Sequence, residues 1–228
     1  MRPDSVGLAA AGVGLGGLAL LLLSQRRGPA LVLYSDNAEL DRDVGTFRGV
    51  ALRAGALHGV EPQPVGNGAE LLDAVRSQPR IGTLLIIGHG TTSSIIRPGV
   101  AGLHTTRTSL PAWVSVEDFA TVTAPRLTSG FWLGLLGCRT AAEAWEDDWT
   151  DQTLAPEGND SLAGQLRDAL FYAGAPSGKV GGHTTTGATD ANPRARVFPV
   201  AGSQVGQWGI PVALTQGERA IAWAFTGK

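Results

Sequence analysis

Two apolar runs in this chain lack the polar–apolar alternation of a half-exposed strand: Arg80-Ile-Gly-Thr-Leu-Leu-Ile-Ile87 and Phe131-Trp-Leu-Gly-Leu-Leu136. A strand that is apolar on both faces must be covered on both, as inside a parallel sheet with helices above and below. Helical spacing appears between such runs. Arg42 to Leu57 repeats apolar residues at Val44, Phe47, Val50, Leu52 and Ala54, and Asn67-Gly68 turns into a helix at Ala69–Ser77. Ser161 to Ala173 carries Leu162, Leu166, Leu170 and Phe171, with Ser161 as N-cap and Gly174 just past the end. Ala30–Tyr34, Glu61–Val65 and Lys179–His183 read as further strands. Val116–Thr123 reads as a helix within the polar, Pro- and Gly-punctuated stretch Thr91–Thr128, and Ile210–Leu214 and Ala220–Phe225 read as terminal elements. The expectation is one α/β domain over residues 28–228, a length that buries a full core once but not comfortably twice. There is no internal repeat.

Both runs end in the same way. Ile87 is followed by Gly88, His89 and Gly90, and Leu136 by Gly137 and Cys138. In a parallel sheet the functional crevice lies at the carboxyl ends of the strands, so His89 and Cys138 are expected at one rim. If the strands are neighbours, the two side chains can meet. A thiol at its free pKa is only a few per cent thiolate at neutral pH, and a positioned imidazole removes or stabilises its proton and can hand it to a leaving amine. The flanking glycines let a substrate backbone approach. The amides of Gly90 and Cys138, each just past a strand, are the natural oxyanion donors. Cys138 is the only cysteine, which excludes an intramolecular disulfide.

These residues resemble a family. A hydrophobic strand ending in His-Gly, followed roughly fifty residues later by one ending in a small residue and Cys, is the pattern of the caspase-like (clan CD) cysteine peptidases, among them the bacterial CHAT and gingipain branches. Here it reads Ile86-Ile-Gly-His-Gly90 and Leu135-Leu-Gly-Cys-Arg-Thr-Ala141. The segment from Asn159 through Ala175 into Val180-Gly-Gly resembles the helix and strand after the Cys in those two branches. The resemblance spans roughly residues 30 to 185. It implies a three-layer caspase-like fold with a mostly parallel central sheet. It also implies endopeptidase activity, with His89 as acid/base, Cys138 as nucleophile, and Gly90 with Cys138 as the oxyanion hole. The chain departs from the metacaspases, which have an acid where Leu136 stands, and shares only Arg139 with the caspase motif around the Cys.

Arg139, His183, Asp147, Asp148 and Asp160 are the candidate pocket residues. His183 follows the next strand and can reach the same rim or be a plain turn residue. The acidic run Glu143, Glu146, Asp147, Asp148, Asp151, Glu157 and Asp160 is a solvated loop, a pocket for a basic side chain, or an oxygen-rich site suited to calcium. Its spacing is not that of an EF-hand loop, and no Cys/His zinc spacing occurs, so no cofactor or metal is expected otherwise. His58 and His104 read as solvated loop residues. A catalytically silent caspase-like scaffold or interaction domain is the main alternative to a peptidase.

Val6 to Leu23 is uninterrupted and apolar, and would make a helix roughly 27 Å long, just short of a hydrocarbon core. The expected reading of residues 1–27 is a single-pass membrane anchor. A signal peptide is the second reading, although no A-x-A site follows the run. The third is a dinucleotide- or flavin-binding turn, because Gly12, Gly14 and Gly17 satisfy G-x-G-x-x-G and Asp36 stands about twenty residues on. Arg26 and Arg27 after the run, against Arg2 and the amino terminus before it, favour a cytoplasmic catalytic domain by about one charge. A net charge of −2 offers nucleic acid no basic face. Only Lys179 and Lys228 are lysine, and Gly and Ala are abundant, a usage that suits a GC-rich bacterial or phage coding sequence. The expected partner is a protein or peptide substrate.

Overall fold

The computed structural model describes residues 28–36, 44–97, 101–105, 112–142, 161–184, 192, 194–202, 205–207, 209–213 and 218–227. Residues 1–27, and with them the expected anchor and Gly12, Gly14 and Gly17, lie outside these. Among the described residues no helix is long and apolar enough to cross a membrane.

A seven-stranded sheet forms the centre, in the order β11-β10-β9-β8-β3-β1-β2. Its members are β1 (Ala30–Ser35), β2 (Gln63–Val65), β3 (Ile81–Ile87), β8 (Leu127–Leu136), β9 (Gly178–His183), β10 (Arg194–Val200) and β11 (Ile210–Ala213). The five strands from β2 to β9 pair in parallel, and β10 and β11 turn antiparallel at the far edge. Both edge strands carry a proline, Pro64 in β2 and Pro211 in β11. A proline cannot donate to a further ladder, so each edge is a poor template for another chain.

Side chains along the central strands alternate between two buried faces. Leu31, Leu33, Leu84, Ile86, Leu133 and Leu135 point to one face, where they meet Leu71 and Val75 of α2 (Gly68–Arg76), Phe119 and Ala120 of α3 (Val116–Thr123), and Leu162, Leu166 and Leu170 of α4 (Leu162–Tyr172). Val32, Tyr34, Leu85, Ile87, Trp132 and Leu136 point to the other, against Phe47, Val50 and Ala54 of α1 (Val44–His58) and Trp223 to Phe225 of α5 (Glu218–Thr226). The apolar residues of both faces thus have helices to pack on, which is why these runs are apolar without a period of two.

The chain leaves β1 through α1 towards β2, then travels back through α2, α3 and α4 to β3, β8 and β9. A constant hand of crossover demands that the face change when the direction of travel reverses, and it does. The reversal lies between β1 and β3, which makes the carboxyl ends of these two strands a topological switch point.

Three features differ from the sequence reading. The stretch after β3 holds a second, four-stranded sheet made of β4 (His89–Gly90), β5 (Ser94–Arg97), β6 (Ala101–His104) and β7 (Trp113–Ser115). Its strands are too short to show a period. β10, with Arg196 buried in it, was not predicted either. His58 and His104 are not loop residues: His58 ends α1 with Nε2 2.9 Å from the Phe225 carbonyl, and His104 lies in β6 edge-on to Trp113.

A fully buried arginine ties the β10–β11 turn to α4. Arg167 donates from Nη2 to the Gln207 carbonyl at 2.8 Å, from Nε to the Asp168 carboxylate, and lies over Phe198. Asp168 in turn accepts from the Gly206 amide at 3.2 and 3.1 Å. Arg167→Ala is expected to cost about 2–4 kcal/mol, from lost packing, the lost carbonyl partner and a half-stranded carboxylate. A urea midpoint unchanged from wild type would contradict this role.

Candidate active site

β3 and β8 are parallel neighbours in register, with Ile87 opposite Leu136. His89 and Cys138 each stand two residues beyond that pair, at the same rim of the sheet, and His89 also borders the switch point. The Gly88 amide continues the ladder by donating to the Leu136 carbonyl at 3.3 Å. Beyond it the two turns touch through glycine. A Cβ on Gly90 would lie 2.6 Å from the Cys138 carbonyl oxygen and 2.9 Å from the Gly137 carbonyl carbon, and one on Gly137 would lie 3.0 Å from the Gly90 amide nitrogen. Real Cβ atoms do not approach so closely, so the glycines are what brings the backbones of the two turns together.

Each reactive side chain is half-buried. The His89 imidazole meets the Phe47 ring edge-on, with centroids 4.9 Å apart and planes at 89°, a favoured aromatic geometry that fixes the imidazole from the α1 side. Its backbone pairs with Ile96 of β5. Thr91 donates to the Ser94 carbonyl at 2.9 Å, closing the β4–β5 hairpin. Antiparallel pairs alternate between bonded and non-bonded, so Gly90–Ile95 is a non-bonded pair and the Gly90 amide turns away from β5.

Among the described residues, the two non-glycine residues with φ in the left-handed range are Ile96 (95°) and Arg139 (57°). One faces His89 across a ladder and the other follows Cys138. Such conformations are costly for side-chain-bearing residues, most of all a β-branched one, and cluster where structure is held for function. Both outliers thus lie beside the two candidate residues.

The other sequence candidates are placed as follows. Arg139 is half-buried in the turn after Cys138, where its carbonyl accepts from Ala142. His183 ends β9, the strand next to β8. Its carbonyl accepts from the Ala141 amide at 2.9 Å, while its ring is buried near Trp223, on the α5 side of the sheet. It therefore braces the Cys138 turn through its backbone. Asp147, Asp148 and Asp160 lie outside the described residues, and so does the rest of the acidic run. Among the described residues no group of acids, histidines and cysteine is arranged to hold a metal.

Sequence reasoning did not single out Ile96, Thr140 or the role of Phe47 against His89. Phe47 carried a helical-period signal and read as core. Ile96 and Thr140 carried no signal, because a strained φ and a buried hydroxyl are products of tertiary contacts. Protein-family models, curated proteins and solved structures yield no match to this chain.

Proposed function

We propose that this protein is a cysteine endopeptidase of caspase-like architecture working through a His89–Cys138 dyad. The observation that carries this reading is the in-register adjacency of β3 and β8, whose carboxyl ends lead to an imidazole and the chain's one thiol at the same rim, with glycine on both turns. The Cys138 sulfur attacks the substrate carbonyl carbon, and its proton passes to His89. Negative charge on the carbonyl oxygen is met by the amides of Gly90 and Cys138. The C–N bond then breaks as His89 gives that proton to the leaving amine, which leaves a thioester. Water attacks the thioester, one of its protons returns through His89 to sulfur, and the acid product departs.

Labelling by a peptidyl acyloxymethyl ketone library tests the reading. Cys138 is the one cysteine, so intact mass reports the site directly. Wild type is expected to gain one adduct, Cys138→Ala none, and His89→Ala an adduct formed at least about 100-fold more slowly, the range of general acid–base contributions. Equal labelling of wild type and His89→Ala would remove the dyad and leave an inactive scaffold with an accessible thiol.

A further inference from the structure

We infer that Thr140 is the positioning residue of the nucleophile turn, the side chain that sets where Cys138 and its amide stand relative to Gly90. This rests on the dyad reading above. Thr140 is fully buried. Its hydroxyl proton is shared between the carbonyl of Leu135, at 2.9 Å, and that of Gly137, at 3.2 Å. One carbonyl belongs to the second-last residue of β8 and the other to the residue before Cys138, so the hydroxyl folds the Gly137–Thr140 loop back on the strand that carries it. Arg139 takes its left-handed φ of 57° inside this loop. The hydroxyl bonds hold the loop in a conformation that is unfavourable for a non-glycine residue.

The side chain also sits between two glycines from other parts of the chain. A Cβ on Gly90 would lie 2.7 Å from the Thr140 methyl, and a Cβ on Gly182 would lie 2.5 Å from the Thr140 hydroxyl oxygen. Gly90 belongs to the histidine turn and Gly182 to β9, so glycine on both sides of Thr140 makes its niche. The Thr140 carbonyl accepts from the Ala163 amide at 2.9 Å, while the adjacent Leu162 amide donates to Thr92 at 2.7 Å. The first turn of α4 therefore holds the cysteine loop and the loop after His89 together, with Thr140 at the junction. A displacement of about 1 Å at a reacting group is enough to cost on the order of 100-fold in rate.

Thr140→Val keeps the shape and removes the hydroxyl, and Thr140→Ser keeps the hydroxyl and removes the methyl. The fastest-reacting acyloxymethyl ketone of the library is applied to both, with hydrogen exchange followed over residues 135–142 and thermal melting as the check on folding. For Thr140→Val the maximal inactivation rate is expected to fall at least about tenfold with the inhibitor's half-saturation unchanged, because binding is kept while attack geometry is lost. Exchange over 135–142 should rise while exchange in β1 and α1 stays as in wild type. Thr140→Ser should recover the inactivation rate to within about threefold of wild type. A folded Thr140→Val that inactivates at the wild-type rate, or whose exchange over 135–142 is unchanged, overturns the inference. Absence of any His89-dependent labelling in wild type defeats the dyad reading instead, and the exchange comparison then decides the clamp alone.

Discussion

Peptide cleavage by the His89→Ala variant is expected to fall by about 10³-fold, and by Cys138→Ala to the uncatalysed background. A double variant should be no slower than Cys138→Ala. The magnitude follows from what each group does. In the proposed mechanism His89 both takes the thiol proton and supplies one to the leaving amine, and losing these two roles is a deficit that general acid–base catalysis values at about 10²–10⁴. Without the sulfur there is no acyl-enzyme, so His89 has nothing to activate, and effects of groups that work as a unit do not add. Both variants should remain folded. The two side chains are half-buried at the rim, and the contacts that assemble the turns are made by Gly88, Gly90, Gly137 and the β3–β8 ladder. Turnover of a fluorogenic peptide mixture, matched with circular dichroism of each variant, measures this. Cleavage by Cys138→Ala at the wild-type rate would mean that the activity belongs to another site.

The largest effect on stability is expected at Trp132. Its indole is buried in the face covered by α1 and α5, donates from Nε1 to the Ala224 carbonyl at 3.1 Å, and meets Trp223 edge-on with centroids 5.3 Å apart. Three glycines from three parts of the chain surround it. A Cβ would lie 2.1 Å from the indole at Gly181, 2.5 Å at Gly227 and 3.1 Å at Gly134. Trp132→Ala should destabilise by about 3–5 kcal/mol, since the niche cannot collapse around an alanine without moving β9 and α5. A coupling follows. Gly181→Ala should itself destabilise, by about 1–3 kcal/mol, because the new methyl overlaps the ring, and should cost far less in the Trp132→Ala background where that space is empty. Urea denaturation of the four proteins closes the cycle, and additive losses would show that Gly181 and Trp132 do not share this space.

Much of this architecture can be read before any coordinates. Ile81–Ile87 and the Phe131–Leu136 part of β8 are strands where their unalternating apolar runs place them, and Val116–Thr123 and Leu162–Tyr172 are helices at the predicted positions, the latter capped by Ser161, whose hydroxyl oxygen accepts from the Gly164 amide. The second sheet and β10 were not readable. Two- to four-residue strands have no period, and Arg194-Ala-Arg-Val-Phe-Pro-Val200 mixes charge, apolar residues and proline in a pattern that only its neighbours explain. Arg196 is tolerated at a buried position because its Nη1 reaches the Ala141 carbonyl, at 3.4 Å, in the turn after Cys138.

By itself the sequence determined that two strands must be buried on both faces and that each delivers a reactive residue to its carboxyl end. The cause is local: a run with no polar face has nowhere to lie but between layers, and parallel strands all end at one rim. Tertiary structure alone decided that these strands are neighbours in register, that Phe47 closes on His89, that Gly181 and Gly227 pack against Trp132, and that Thr140 has a seat between Gly90 and Gly182. Those are contacts between residues far apart along the chain. They are set by how layers pack, and packing leaves no periodic trace in the order of residues.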